Sequence, residues 1–208
     1  LNYYSFNLFN YSLENSIPVD GLPESIVSDG LHLWVGIMMN ADYTSASNVV
    51  KIEISTQTIV ETYEVGLGPT SLALSGDDVY VARTFYDENW ISFYGSSKIS
   101  SDDILIKDYG LGVACGGNIM KYKNEIYRSF DGGIALLENN LDIKASSRIG
   151  SYDQSQVYST KIIGDYIYFG ILDSTTTTDQ VKIVNENGDE VASYNVGIFP
   201  GDFSVWKN

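Results

Sequence analysis

Two segments of the chain combine aromatic side chains with carboxylates and an arginine, the residue types that bind sugars and peptides. An aromatic ring offers an apolar stacking surface, while carboxylate, amide and guanidinium groups offer directional hydrogen bonds. The segments therefore predict a binding site for a glycan, a peptide or a protein. The alternative is that Trp90 begins a strand and belongs to the core. The candidate ligand-binding residues are Asn40, Asp42, Tyr43, Arg83, Tyr86, Asp87, Glu88 and Trp90.

The residue types that catalysis or metal binding would require are sparse. His32 is the single histidine, so a Ser-His-Asp site would have to use it. Its place at the start of a predicted strand favours a structural role. The acidic pairs at 77–78 and 102–103 could bind calcium, but aspartate is also favoured in turns. We predict no catalytic residue, no metal and no cofactor. The enzymatic alternative is a glycoside hydrolase or lyase that uses carboxylates such as Asp87 and Glu88.

Charge and composition narrow the classes of partner. The net charge of −15 would repel a nucleic-acid backbone and an anionic membrane surface. No apolar run is long enough to cross a membrane. Cys115 is the single cysteine, so no internal disulfide can form. Charged residues make only 19% of the chain, whereas tyrosine contributes 16 residues, which suits exposed strands and turns.

A repeated pattern organises the whole chain. An apolar residue, an aromatic, any residue and a small residue recur at 33–36, 79–82, 126–129 and 167–170. The spacings between the aromatics, Trp34, Tyr80, Tyr127 and Tyr168, are 46, 47 and 41 residues. A polar turn precedes each segment, and a shorter apolar stretch precedes the turn. Each repeat therefore predicts a β-hairpin.

A second hairpin follows the first in every repeat. Its strands are predicted at 49–54 with 59–65, 91–94 with 104–109, 134–137 with 143–149, and 181–184 with 191–196. Four strands per unit at this period is the blade of a β-propeller. We predict one all-β domain over residues 1–208, with blades at about 22–66, 67–110, 111–150 and 151–197.

The ends of the chain predict a fifth, shared blade. Residues 1–21 resemble the second half of a unit, and 198–208 resemble the first strand of another, predicted at 202–206. Pairing of the two ends would close a five-bladed ring and remove open sheet edges. The alternatives are a larger ring, or a blade completed by a strand from another chain, which would make a homo-oligomer through the terminal strands.

One stretch carries a family resemblance. Residues 65–82 read Val-Gly-Leu-Gly-Pro-Thr-Ser-Leu-Ala-Leu-Ser-Gly-Asp-Asp-Val-Tyr-Val-Ala, which resembles the YVTN-type surface-layer propeller repeat. Residues 22–36 match in part, and 113–130 lack the proline. The resemblance implies a propeller in an extracellular or cell-surface setting, and it implies no activity.

The loops of a propeller decide where a ligand would bind. Loops that join the second and third strands of a blade gather on one face, together with loops that join successive blades. The candidate residues fall on two loops of the first kind. We therefore predict a non-enzymatic binding or assembly module that recognises a glycan, peptide or protein partner through one loop face.

Overall fold

The computed structural model describes residues 2–101, 103–112, 117–175 and 177–205, and every regular element in them is a β-strand. The expected all-β class is confirmed. Cys115, Asp102 and Trp206 lie outside the described residues. Within those ranges, no helix has the length and apolar character that a membrane crossing requires.

In the described ranges, eighteen strands form one hairpin and four antiparallel sheets in which neighbours in sequence pair. The hairpin is β1 (Asn2–Phe6) with β2 (Leu13–Pro18). Sheet I has β3 (Leu22–Ser28), β4 (His32–Met39), β5 (Ser45–Glu53) and β6 (Thr58–Glu64), and sheet II has β7 (Pro69–Ser75), β8 (Asp78–Tyr86), β9 (Ser92–Ile99) and β10 (Ile104–Leu111). Sheet III has β11 (Ile119–Tyr122), β12 (Glu125–Phe130), β13 (Gly133–Leu137) and β14 (Ile143–Ile149), and sheet IV has β15 (Val157–Ile163), β16 (Tyr166–Ile171), β17 (Asp179–Val184) and β18 (Glu190–Val196).

The turn between β3 and β4 gives the single histidine a structural partner. The Asp29 carboxylate accepts hydrogen bonds from the Trp34 indole at 2.9 Å and from the backbone N–H groups of Leu31 and His32 at 2.8 and 2.6 Å. Burial alone would raise the pKa of Asp29, but these bonds together outweigh it and lower the pKa well below its usual range. The Nδ1 atom of His32 lies 3.2 Å from the same carboxylate.

Neighbouring sheets pack face to face, with a buried apolar cluster in each interface. Trp34 and Val35 are adjacent on β4, yet Trp34 packs towards sheet II and Val35 towards the hairpin. The second strands of sheets I to III are covered on both faces, which explains their successive apolar residues. The clusters comprise Trp34, Val49, Val65, Leu72, Val79, Val81 and Ile99 between sheets I and II; Ala73, Tyr80, Ala82, Ile119, Ile126, Leu137 and Leu141 between II and III; and Tyr122, Ile134, Val157, Ile167, Phe169, Ile171 and Val184 between III and IV.

The first strands of the four sheets surround one channel. Residues of β3, β7, β11 and β15, together with residues 201–203, line a cavity of roughly 640 Å³. The Ile119 backbone N–H donates to Ser71 Oγ at 3.2 Å, which links β11 to β7. The Asn118 side chain donates to the Thr160 carbonyl at 2.9 Å, which links β11 to β15. The sheets are thus arranged radially around an axis.

The two ends of the chain flank this arrangement, and their described residues do not pair with each other, contrary to the sequence-based prediction. The hairpin packs on sheet I through Ile17 and Val19. The Ser159 hydroxyl donates to the Pro200 carbonyl, which lies over Gly170 of sheet IV much as the Pro69 carbonyl lies over Gly36 of sheet I. Residues 198–205 therefore start where a first strand would start. The strand predicted at 202–206 does not form in the described residues, where the hairpin sheet contains β1 and β2 alone. A lone segment without a hydrogen-bonding neighbour makes no ladder.

Candidate functional site

Two loops that lie beside each other fold into the same turn. In the loop between β4 and β5, the Asn40 N–H donates to the Thr44 carbonyl at 2.8 Å and the Tyr43 N–H donates to the Asn40 carbonyl at 3.0 Å. The loop between β8 and β9 has the same two bonds: the Asp87 N–H donates to the Ile91 carbonyl at 3.1 Å, and the Trp90 N–H donates to the Asp87 carbonyl at 3.0 Å. Tyr43 and Trp90 are therefore structural equivalents, each at the fourth position of its turn.

The fourth position forces an unusual backbone conformation on these two aromatics. Tyr43 has φ +66° and Trp90 has φ +60°, in the left-handed region. The same turn between β17 and β18 has Gly188 there, and the turn between β13 and β14 has Leu141, which is buried in the core. A side chain in this region costs about 1 to 2 kcal/mol. Tyr43 and Trp90 are 66% and 67% exposed, so burial does not offset that cost as it does for Leu141. Strained and exposed residues of this kind concentrate at binding sites.

The two loops together line an open cavity of roughly 290 Å³. The rings of Tyr86 and Trp90 stand 5.8 Å apart with 50° between their planes, and Tyr43 approaches from the neighbouring sheet. The lining residues are Tyr43, Thr44, Ser45, Tyr86, Asp87, Glu88 and Trp90. Five of the eight predicted site residues thus meet in one cavity, which presents aromatic faces, hydroxyl groups and carboxylates to a ligand.

Asn40, Asp42 and Asp87 hold the loops in shape. The Asn40 side chain donates to Thr44 Oγ1 at 3.0 Å, and Asp42 Oδ1 accepts from the Thr44 hydroxyl at 2.6 Å and from its N–H at 3.1 Å. The hydroxyl bond is the main reason that the pKa of Asp42 lies below its usual value. Asp87 Oδ1 accepts two backbone N–H groups, both at 2.9 Å. Neither Asn40 nor Asp42 lines the cavity, so their contribution is to the position of Tyr43.

Arg83 does not belong to the loop, contrary to the sequence-based prediction. It lies within β8 and is 1% exposed. Its guanidinium group pairs with Asp108 of β10 and donates to the carbonyl of Lys107 at 3.0 Å. A buried arginine needs such acceptors, and the next strands of its own sheet supply them. The structure therefore does not bring Arg83 together with the candidate residues that line the cavity.

Trp90 does not begin a strand, because β9 starts at Ser92 and Trp90 stays in the loop. Sequence reasoning missed Thr44 and Ser45, which also line the cavity. The available signal was their position directly after Tyr43, at the start of the next strand.

In the described ranges, the candidate calcium pair at 77–78 has no third acidic ligand grouped with it. Asp78 lies 3.6 Å from the Lys98 ammonium group, and Asp102 falls outside the described ranges. Among the residues that the structure describes, no three His, Cys, Asp or Glu side chains are grouped to hold a metal ion.

No family model matches the chain, and no curated protein matches its sequence. Among solved structures, the chain is similar to hydrazine synthase from Kuenenia stuttgartiensis, with a TM-score of 0.61 and 14% identity over 93% of this chain and 53% of that one. It is also similar to KlHsv2 with loop 6CD replaced by a Gly-Ser linker, with a TM-score of 0.54 and 11% identity over 95% of this chain and 61% of that one. The fold is a β-propeller.

At such low identity, these likenesses show the propeller fold alone. This chain spans 53% of the length of the first structure and 61% of the length of the second. Sheets I to IV are four-stranded blades, and the hairpin with residues 198–205 fits a fifth position, so about five blades are present. The aromatic cavity lies between the second-to-third-strand loops of blades I and II.

Proposed function

We propose that this propeller is a non-enzymatic binding module that takes its ligand in the cavity between blades I and II. The main support is the pair of equivalent turns that hold Tyr43 and Trp90 exposed in a strained conformation. At the equivalent position the turn between β17 and β18 has Gly188 and the turn between β13 and β14 has the buried Leu141, whereas Tyr43 and Trp90 are exposed. The ligand classes that fit aromatic faces beside carboxylates and hydroxyls are peptides, proteins and glycans.

Trp90→Gly is expected to separate binding from stability. Loss of the ring should weaken ligand binding at least about tenfold, the effect typical of a central aromatic in an interface. The free energy of unfolding should rise by about 1 kcal/mol, because glycine adopts the left-handed conformation without strain. Affinity is measured on the best ligand from peptide and glycan arrays, and stability by urea denaturation.

Tyr194→Ala is the matched control for this experiment. Tyr194 is also an exposed aromatic, but it lies on β18 of blade IV, away from the cavity. Its substitution should leave the affinity unchanged. Unchanged affinity in the Trp90→Gly protein would rule out the proposed site. An equal loss of affinity in Trp90→Gly and Tyr194→Ala would also rule it out.

The extracellular or cell-surface setting remains a prediction. It rests on the resemblance of residues 65–82 to the YVTN-type repeat. The many uncharged polar residues support a solvent-exposed role, and the net charge of −15 disfavours nucleic-acid partners.

Assembly through the terminal hairpin is a second candidate function, favoured by one observation. In the described residues, β1 pairs with β2 alone. In blades I to IV, by contrast, the third strand pairs with the fourth strand on one side and with the second strand on the other. The edge of β1 is therefore placed to accept a strand from another chain. Large apolar side chains are exposed along this hairpin, namely Tyr4, Phe6, Leu8, Phe9, Tyr11 and Leu13.

A Tyr4→Lys/Phe6→Lys double variant tests strand addition at β1. Lysine on an edge strand opposes pairing with another chain. If β1 mediates assembly, the mass measured by sedimentation velocity should fall to that of the monomer. Tyr194→Lys, an exposed position on β18 of blade IV, should keep the assembly intact. A wild-type protein that stays monomeric as its concentration rises would contradict this second function.

A further inference from the structure

We propose that the cavity between blades I and II binds an ammonium group, presented as a lysine side chain by a peptide or protein partner. This inference rests on the proposed binding function and adds the chemical class of the ligand. The seven described residues that line the cavity include three aromatic rings and two carboxylates, and none of them is basic. That combination is complementary to a cation.

The aromatic rings supply the first part of this complementarity. The face of an aromatic ring is electron-rich and attracts a cation, most strongly where several rings meet. Tyr86 and Trp90 meet at 50° and form two walls, and Tyr43 supplies a third from blade I. The protein already pairs cations with rings elsewhere, since the Lys51 ammonium group lies 4.8 Å from the centre of the Trp34 ring.

The distribution of charge around the cavity supplies the second part. Glu88 is exposed, and no hydrogen bond or ion pair engages it among the described residues. Asp87 Oδ1 accepts two hydrogen bonds within its own turn, and the carboxylate still contributes a negative charge to the cavity. Arg83, which lies on the strand before this loop, is buried in blade II and paired with Asp108, so it does not neutralise the carboxylates of the cavity. With a net charge of −15, the long-range field also attracts cations.

The same charges favour lysine over a choline-type lipid headgroup. A phosphocholine headgroup carries a phosphate a few bonds from its ammonium group, and Asp87 and Glu88 would repel that phosphate. A lysine side chain brings no anion with it. Its four-carbon stem can lie along the tyrosine and tryptophan rings while the ammonium group reaches the carboxylates.

The test compares lysine with its uncharged isostere on the full chain. Nα-acetyl-lysine methylamide and Nα-acetyl-norleucine methylamide are titrated against the protein, and the indole N–H signal of Trp90 is followed by NMR. Lysine is expected to bind at least about fivefold more tightly than norleucine. The preference should shrink at about 0.5 M salt, because the carboxylates are exposed to solvent. Phosphocholine should bind more weakly than lysine.

Glu88→Gln should lower the affinity for lysine about three- to fivefold and leave that for norleucine unchanged. Glu14→Gln, an exposed carboxylate on the hairpin, should change neither affinity. Equal binding of lysine and norleucine would overturn the inference, and so would tighter binding of phosphocholine. If neither amide binds but a neutral ligand still depends on Trp90, the lysine proposal fails alone. If no ligand depends on Trp90, the proposed binding function fails with it.

Discussion

Arg128→Ala is expected to lower the free energy of unfolding by about 3 to 5 kcal/mol. Arg128 lies on β12 of blade III, is 1% exposed, and reaches across the interface into blade II. Its Nη1 donates to the Gly95 carbonyl and to Ser96 Oγ, both at 2.6 Å. Removal of the side chain breaks both of these buried hydrogen bonds and opens a cavity between the blades. Urea denaturation followed by circular dichroism measures the loss.

The surroundings of Arg128 explain why one residue carries so large an effect. Its guanidinium group lies 5.2 Å from the Tyr94 ring centre and 5.1 Å from that of Tyr109. Burial lowers the pKa of Arg128, while Tyr109 and Tyr94 oppose that shift. An arginine nevertheless stays charged in proteins. These rings and carbonyls replace its hydration, so Arg128 links blade III to blade II.

Arg148→Ala is the matched control. Arg148 is an arginine of the same blade that pairs with Asp131 at the surface, with both side chains accessible to solvent. Exposed ion pairs contribute about 1 kcal/mol or less. If Arg128→Ala cost no more than Arg148→Ala, the proposed role of Arg128 as a link between blades would be wrong.

Gly132→Ala should be the second strongly destabilising change, at about 3 kcal/mol. Gly132 turns the chain between β12 and β13 at φ +72°. A Cβ atom at this position would overlap the carbonyl oxygen of Tyr152, whose own N–H donates to the Gly132 carbonyl at 3.0 Å. A backbone atom cannot move aside as a flexible side chain can, so the contact between the turn and residue 152 would be broken.

Gly164→Ala separates this overlap from the backbone conformation. Gly164 has φ +62° in the turn between β15 and β16, and a Cβ atom there would meet nothing within 4 Å. The left-handed conformation alone should cost about 1 kcal/mol. Thermal unfolding of both variants compares the two effects. Equal losses would show that the turn at Gly132 rearranges to avoid Tyr152.

Much of the local structure could be predicted from particular residues. The aromatics Trp34, Tyr80, Tyr127 and Tyr168 all lie on second strands, as the repeat predicted. Each follows a short turn, because the polar residues before it favour tight connections and the apolar residues around it favour strands. These preferences act over a few residues, which is why one sequence suffices to read them.

Arg83 shows that the burial of a charged residue cannot be predicted from its neighbours in the sequence. A charged residue just before a polar loop is expected at the surface, and the loop prediction for Arg83 followed that rule. In the fold it lies inside blade II because Asp108, 25 residues later, reaches it from β10. Arg128 gave no signal at all, since its acceptors Gly95 and Ser96 lie more than 30 residues earlier in another blade.

The sequence by itself determined the strand pattern, the all-β class, the radial repeat and the two loops that carry the aromatic residues. Only the tertiary structure decided that Tyr43 and Trp90 share one cavity, that Arg83 is buried away from it, and that residues 201–205 lie outside any sheet. The physical reason is range: strands and turns follow from the side chains of neighbouring residues. The partners of buried charges and the meeting of loops depend on which distant strands the packed blades bring together.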